Sequence, residues 1–369
     1  MRIADWLTYA DIEHLRRLNR FYGTGGEKIH SKHELIVSLL QVMGRKPPLR
    51  RNMEQLSEAE QRFLELIVLD PTPAFTMEEL KAKAAAASND EADMARELIT
   101  GAVSRGWLFP GYSPQTQHLY HIPSDLRERM LELLCEPFAG DVSSTPPEVY
   151  RDEQGQMVAD LVHFLDFLRG DIVRLTNEGA IWRQQQKQLF KTFFIPEEPI
   201  SEKSPRFGFG RKYHLYPDRF SLLYDYAWYH GYILEDEEGY LCLTDKGIGK
   251  ISDTLDEGAS IFRFWIRLYR KPVPHLPVVI RWIGLLGAKG WIGVDTVKSA
   301  VMSWISPFYY ETPDSLFVKI LKMMSHLGVI RIGSEQGRDR LTLTESGREW
   351  LAGTSAFRER VIEEGFIPG

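Results

Sequence analysis

The chain has 369 residues and a mass of 42.6 kDa, more than one ordinary core holds, so two to four packed units are expected. With 43% hydrophobic, 26% charged and 12% aromatic residues, a mean hydropathy of −0.27 and no long uncharged apolar run, the composition excludes a disordered polyelectrolyte and a helical membrane protein. The net charge of −6, from 45 Lys and Arg against 51 Asp and Glu, excludes a uniformly basic polymer-coating protein but leaves room for a local basic face.

Residues 1–52 are compositionally distinct. Ten basic residues against five acidic ones give them +5, which leaves −11 for the other 317 residues. Ile12, Leu15, Leu18 and Tyr22 recur at steps of three and four, the spacing of a buried helical stripe, and Gly23, Gly25 and Gly26 break it. Ser31 with Glu34 is a capping box that opens a second helix, whose Leu35, Ile36, Leu39 and Leu40 face inward and which ends near Gly44. Lys46-Pro47-Pro48 reads as a stiff linker.

This helix, glycine loop and helix, in Leu15-Arg16-Arg17-Leu18, Tyr22-Gly23 and Ser31-Lys32-His33-Glu34-Leu35-Ile36, resembles the SAP-type helix-extension-helix motif over about a tenth of the chain. The resemblance implies DNA binding through basic residues around the loop and second helix, which here are Arg16, Arg20, Lys28 and Lys32. A two-helix cap with a solvated charged face is the alternative.

The remainder repeats. Three apolar helices end in a glycine followed by an aromatic or β-branched pair: Gly106-Trp107-Leu108, Gly231-Tyr232-Ile233 and Gly328-Val329-Ile330. A turn and a second short strand follow each, at residues 119–122, 240–244 and 340–344. The last two run into matching helix starts, Leu243-Thr244-Asp245-Lys246-Gly247 and Leu343-Thr344-Glu345-Ser346-Gly347. Helices followed by a two-stranded hairpin are the sequence form of a winged helix. The expected fold is therefore mainly α with small β-hairpins, an α+β class: a SAP-like helical cap at 1–52, then winged helices at 53–136, 150–257 and 258–369. Residues 137–154 and 195–212 read as linkers or insertions.

The stretch Ile172-Val173-Arg174-Leu175-Thr176-Asn177-Glu178-Gly179, with the helix and hairpin after it, resembles the N-terminal region of XPB-type helicases over roughly residues 150–255. That resemblance implies association with DNA-unwinding machinery. It brings no catalytic residues, and no motor follows it in this chain.

In a helix-turn-helix the third helix enters the major groove, so its outward residues decide what it touches. The first copy shows Asp93 and Glu97 beside Arg96. The second shows a lone arginine, Arg219, facing Asp225, and then an acidic wing, Glu235-Asp236-Glu237-Glu238. The third buries Leu316, Phe317, Ile320, Leu321 and Met324, while Ser315, Lys319, Lys322 and His326 fall opposite and its wing adds Arg331, Arg338 and Arg340. It is the best DNA candidate among the copies. Arg263, Arg267 and Arg270 on one helical face, and the aromatic and basic segment Arg206-Phe207-Gly208-Phe209-Gly210-Arg211-Lys212, could extend such a surface, or be a basic rim and an ordinary flexible insertion.

Asp90-Glu91-Ala92-Asp93 spells an acidic box, but it follows an alanine run, suits a helix N-terminus, and has no phosphate-binding loop to work with. His30 and His33, or His118 and His121, lack metal-ligand spacing, and no nucleophile elbow occurs. Cys135 and Cys242 form no CxxC, and the N-terminal residues lack a signal-peptide apolar core. The sequence thus reads as a cytoplasmic, non-enzymatic DNA-binding adaptor without cofactor or metal. Its expected partners are double-stranded DNA, bound with little sequence preference through the backbone, and a protein docked on winged helices 1 and 2, a helicase being one candidate. The alternative is a winged-helix protein-interaction scaffold that never touches DNA.

Overall fold

The computed structural model describes residues 1–24, 31–88, 92–200, 208–353 and 362. The chain divides into two compact units, Met1–Gly140 and Asp141–Gly369. Both are helical with small antiparallel sheets, and among the described residues no helix is long and apolar enough to cross a membrane.

The N-terminal unit runs α1 (Ile3–Tyr9), α2 (Ile12–Tyr22), α3 (Lys32–Leu40), α4 (Lys46–Glu54), α5 (Glu58–Val68), β1 (Phe75–Thr76), α6 (Met77–Ala87), α7 (Ala92–Ser104), β2 (Phe109–Pro110), β3 (Leu119–His121) and α8 (Ser124–Cys135). The capping boxes at Ser31, Ser57 and Thr76 start α3, α5 and α6 as their side chains accept the N3 amides. The expected linker at Lys46-Pro47-Pro48 is instead the first turn of α4, where proline's missing amide costs nothing and its fixed φ suits the helix.

Strands β1, β3 and β2 form one sheet in that order. The helices α5, α6 and α7 pack on one another and bury Phe63, Leu64, Ile67, Leu80, Ala84, Leu98 and Ala102. The first four helices share this core. A Cβ on Gly106 would lie 2.4 Å from Met43 Cε and 3.0 Å from Leu18 Cδ2, and the Tyr22 hydroxyl donates to the Arg105 carbonyl at 2.9 Å.

The C-terminal unit begins with β4 (Val142–Ser143) and β5 (Val149–Arg151). Next come α9 (Gln156–Gly170), β6 (Val173–Arg174), α10 (Arg183–Thr192), α11 (Asp218–Tyr229), β7 (Ile233–Glu235), β8 (Tyr240–Leu243), α12 (Asp245–Ser252) and α13 (Glu257–Tyr269). It ends with α14 (Leu276–Gly287), β9 (Trp291–Gly293), α15 (Val294–Val301), α16 (Pro313–His326), β10 (Ile330–Glu335), β11 (Arg338–Leu343) and α17 (Glu345–Gly353). Its sheets run β6-β8-β7 and β4-β9-β11-β10-β5. In all three repeats, then, a helix, a strand, two helices and two strands follow one another, and the last strand lies between the other two.

One lock recurs at the turn from the third helix into its strand. Gly106, Gly231 and Gly328 have φ of 66°, 68° and 69°. Each amide reaches back three residues, and the next amide reaches back five, to Ala102, Ala227 and Met324, at 2.8–2.9 Å. In the second and third repeats the return strand closes on this turn. Thr244 Oγ1 donates to the Gly231 carbonyl at 2.7 Å and Thr344 Oγ1 to the Gly328 carbonyl at 2.6 Å. The same hydroxyls accept the amides of Gly247 and Gly347 at the start of the next helix.

The expected linker at 137–154 contains strands. β4 pairs with β9 and β5 with β10, because the three-stranded sheet leaves unpaired amides and carbonyls at both edges and an extended chain satisfies them. Asp141 anchors the segment, accepting the Gly293 amide at 3.0 Å and the Thr296 hydroxyl at 2.5 Å.

Two further expectations are corrected. Arg219 does not face Asp225: it is fully buried and pairs with Asp160 of α9 at 2.5 Å, and its Nε lies 3.9 Å from Glu153. Six residues apart on one helix, the two side chains point in different directions. Nor is the described part of 206–212 a loose loop: Arg211 lies 3.7 Å over the Trp228 ring, and both Arg211 and Lys212 pair with Glu235 at 3.2 Å.

The Gly231 and Gly328 sites differ in what surrounds them. A Cβ at Gly231 meets nothing within 4 Å, whereas at Gly328 it would lie 2.7 Å from Gln154 Cα. Gly231→Ala is expected to cost only the left-handed backbone penalty, about 1–2 kcal/mol. Gly328→Ala should cost about 1–3 kcal/mol more because main chain must move, both read by urea unfolding. Asp225 supplies a pH test. Burial raises its carboxyl to about 7, against the pull of the Arg211 and Lys212 amides and charges. An acid raised on folding loses stability as pH climbs from its unfolded value through the folded one. The stability of Asp225→Asn relative to the native chain should therefore rise between pH 5 and pH 8.

Candidate nucleic-acid interface

The expected contact residues fall into two classes. In the N-terminal unit, α2 turns His14, Leu15, Leu18 and Asn19 inward, which leaves Arg16, Arg17 and Arg20 exposed. Arg16 and Arg20 stand one helical turn apart on the same face. Among the described residues no carboxylate lies within ion-pairing distance of any of the three. The helix is held in place by Asp11, which caps it through the His14 amide at 2.7 Å, and by Asn19, whose amide donates to the Leu15 and Leu35 carbonyls and so ties α2 to α3. Lys32, exposed in the first turn of α3, donates to the Thr8 carbonyl at 2.8 Å. Lys28 lies outside the described residues, as do Gly25, Gly26, Asp90 and Glu91.

The third repeat is different. Lys319 pairs with Glu311, Lys322 with Asp218 at 3.2 Å and Arg331 with Asp152 at 2.6 Å. Arg340 spans Asp141 at 3.4 Å and Glu335 at 3.3 Å, and also donates to the Asp141 and Trp291 carbonyls. His326, expected on the outward face, is buried with its Nδ1 2.9 Å from Glu153. Arg338, opposite Glu335 at the end of the hairpin, is exposed and without an ion pair among the described residues, whereas Lys322, also exposed, is paired.

The pairs have a physical origin. Glu153 lies among His326, Arg151 and Arg219, which hold its carboxyl below the usual range although burial pushes the other way. Asp160 accepts the Phe194 amide at 2.6 Å and meets Arg219 in a fully desolvated setting. A buried ion left alone is costly, so each carboxylate recruits a cation or an amide. Helical periodicity places Lys319 and Lys322 on the outer face of α16, but their partners come from residues 311 and 218, beyond the reach of any helix pattern.

In the acidic wing the charge of Glu235 is likewise compensated from within the fold. Tyr224, Lys212 and Arg211 surround its carboxylate, and their charges and hydrogen bonds hold it below the usual range against its burial. The first repeat presents Asp93, Arg96 and Glu97 outward, a mixed face.

One feature of the N-terminal unit has no counterpart among the expected residues. Tyr9, at the end of α1, and Tyr112, between β2 and β3, stack with centroids 4.5 Å apart and planes 18° from parallel. They are 59% and 58% exposed. Beneath them Trp6, buried, stacks on His121 at 4.8 Å and on Phe109 at 6.0 Å. His121, one of the pair considered as a metal ligand, directs Nδ1 to the Pro73 carbonyl at 3.1 Å. Among the described residues there is no cluster of three or more His, Cys, Asp or Glu side chains placed to hold a metal.

No family model matches the chain, and no curated protein matches it.

The two classes of cation should separate in unfolding experiments. Arg340→Ala is expected to lower stability by about 1–3 kcal/mol, because Asp141 and two carbonyls lose their donor. Arg16→Ala and Arg20→Ala should stay within about 0.5 kcal/mol of the native chain.

Proposed function

We propose that this chain is a non-enzymatic, DNA-associated adaptor in which the N-terminal unit contacts nucleic acid and the C-terminal unit docks protein. The observation that carries this reading is the division of cations. Arg16, Arg17 and Arg20 project from one rigid helix without a carboxylate partner among the described residues, whereas Lys319, Lys322, Arg331 and Arg340 hold carboxylates of their own unit. An arginine that supports nothing inside the fold is available to a phosphate, and its fork suits two phosphate oxygens.

The first four helices, with α2 and α3 joined through Asn19, fit the SAP-like reading of residues 1–52. The order of helix, strand, two helices and two strands, with the last strand central in the sheet, is that of a winged helix and supports three such modules. DNA contact through the third module has the weaker support. Its best outward cations are already neutralised, and α16 meets Glu153 and Asp218 through His326 and Lys322. The same pairs favour the second reading, a protein scaffold that never binds DNA. The partner of the C-terminal unit, on the XPB-type resemblance of residues 150–255, is a subunit of a DNA-unwinding machine.

Backbone binding releases counterions, so duplex affinity should fall with salt on a log–log plot with a slope of about −3 if all three arginines engage. Mobility-shift titration of the full chain checks this. Arg16→Glu with Arg20→Glu should flatten the slope by about 2 and weaken binding at every sequence tested, while Lys319→Glu with Lys322→Glu should leave the slope unchanged. A native chain that shifts neither duplex nor single strand at low salt would favour the scaffold reading instead.

A further inference from the structure

We infer that Tyr9 and Tyr112 form a stacking platform for unpaired bases, so that the N-terminal unit takes single-stranded nucleic acid as well as duplex. The inference rests on the reading that this unit contacts nucleic acid. Two rings that are each more than half exposed, yet stacked on one another, keep apolar faces in water that burial would favour removing. The fold holds them there. Tyr9 closes α1, and the Ala10 amide after it is fixed on the Trp6 carbonyl at 3.0 Å. Tyr112 follows Gly111, whose amide donates to the Leu119 carbonyl at 2.8 Å; a Cβ at Gly111 would lie 2.2 Å from the Thr116 carbonyl oxygen, so this turn admits glycine. Trp6 meets the edge of Tyr112 at 6.1 Å and backs the pair with a buried aromatic wall.

The surrounding charge selects the occupant. Lys32 is held at the carbonyl of Thr8, the residue before Tyr9, and α2 with its three exposed arginines begins three residues after Tyr9. Of the acidic residues near Tyr9 in sequence, Asp11 and Asp5 are engaged as caps of α2 and α1. An aromatic face with Lys32 beside it, and exposed arginines on the following helix, suits a strand that offers bases to the rings and phosphates to the cations, without sequence readout. In a duplex the bases are already stacked on each other, so duplex binding uses the cations alone.

The test is fluorescence anisotropy with the full chain against a labelled oligothymidylate of about 12 nucleotides and against a labelled duplex. Tyr9→Ala with Tyr112→Ala is expected to weaken oligothymidylate binding about 5- to 100-fold, the range for losing a stacked base, and to leave duplex binding unchanged. Tyr9→Phe with Tyr112→Phe keeps both rings and should keep both affinities, which separates stacking from hydroxyl chemistry. Arg16→Glu with Arg20→Glu should weaken both ligands. If both bind the native chain but the alanine pair leaves oligothymidylate affinity unaltered, the platform is overturned and the tyrosines belong to a protein contact. If the alanine pair weakens both ligands equally, it is overturned also, since the loss is then structural. If neither nucleic acid binds, the reading of the N-terminal unit fails and the platform with it.

Discussion

The architecture depends on a backbone constraint met three times: a long apolar helix must stop and reverse into a strand within two residues. A glycine in the left-handed region does this with little steric cost, because it lets two successive amides fold back onto the carbonyls the helix leaves unpaired. The register of each hairpin is then set from the turn outward. In the second and third repeats a threonine hydroxyl clips the returning strand to that glycine's carbonyl and also caps the following helix. Gly247 and Gly347 share the motif because a Cβ there would lie 2.2 and 2.1 Å from the carbonyl oxygens of Tyr232 and Val329. The recurring Leu-Thr and glycine spacing is thus the chemical description of one joint.

A second constraint shapes the C-terminal unit, which buries Arg219, Asp160, Glu153 and His326 from four different segments. Each would be costly alone, and together they require α9, α11, α16 and the chain before α9 to meet in one arrangement. The basic residues farther out extend the same logic, since Lys322, Arg331 and Arg340 reach carboxylates at 218, 152 and 141. These paired cations serve assembly, whereas the row on α2 serves no internal pair among the described residues. An average of −6 over the chain conceals both facts.

Much of the fold was legible in the sequence for local reasons. Capping boxes at Ser31, Ser57 and Thr76, the apolar periodicity of α5, α9, α14 and α16, and the repeated glycine cap all act within a few residues of themselves. The return strands lie close to residues 119–122, 240–244 and 340–344, where a strand was expected after each turn. Where residues 137–154 departed from expectation, the deciding partner was remote. Residues 137–154 look like a linker because they are rich in proline, glycine and serine, but an unpaired sheet edge formed by residues near 292 and 332 turns parts of them into strands. Lys46-Pro47-Pro48 misled because proline has the same signature in a stiff linker and in the first turn of a helix.

The candidate site divides along the same line. That α2 is a short helix with Arg16, Arg17 and Arg20 on its outer side follows from the spacing of Leu15 and Leu18, for a helix that buries one stripe must expose the other. Whether an exposed cation stays free is a different question, because an ion pair forms across space at distances of a few ångströms with no regard for separation along the chain. Hence the sequence ranked Lys319 and Lys322 with Arg16 and Arg20 as equals, and only the ion pairs with Glu311 and Asp218 told them apart. The stacked Tyr9 and Tyr112, 103 residues apart, are of the same kind: each is an ordinary surface tyrosine in sequence, and their pairing exists only because α1 lies beside the turn that carries Tyr112.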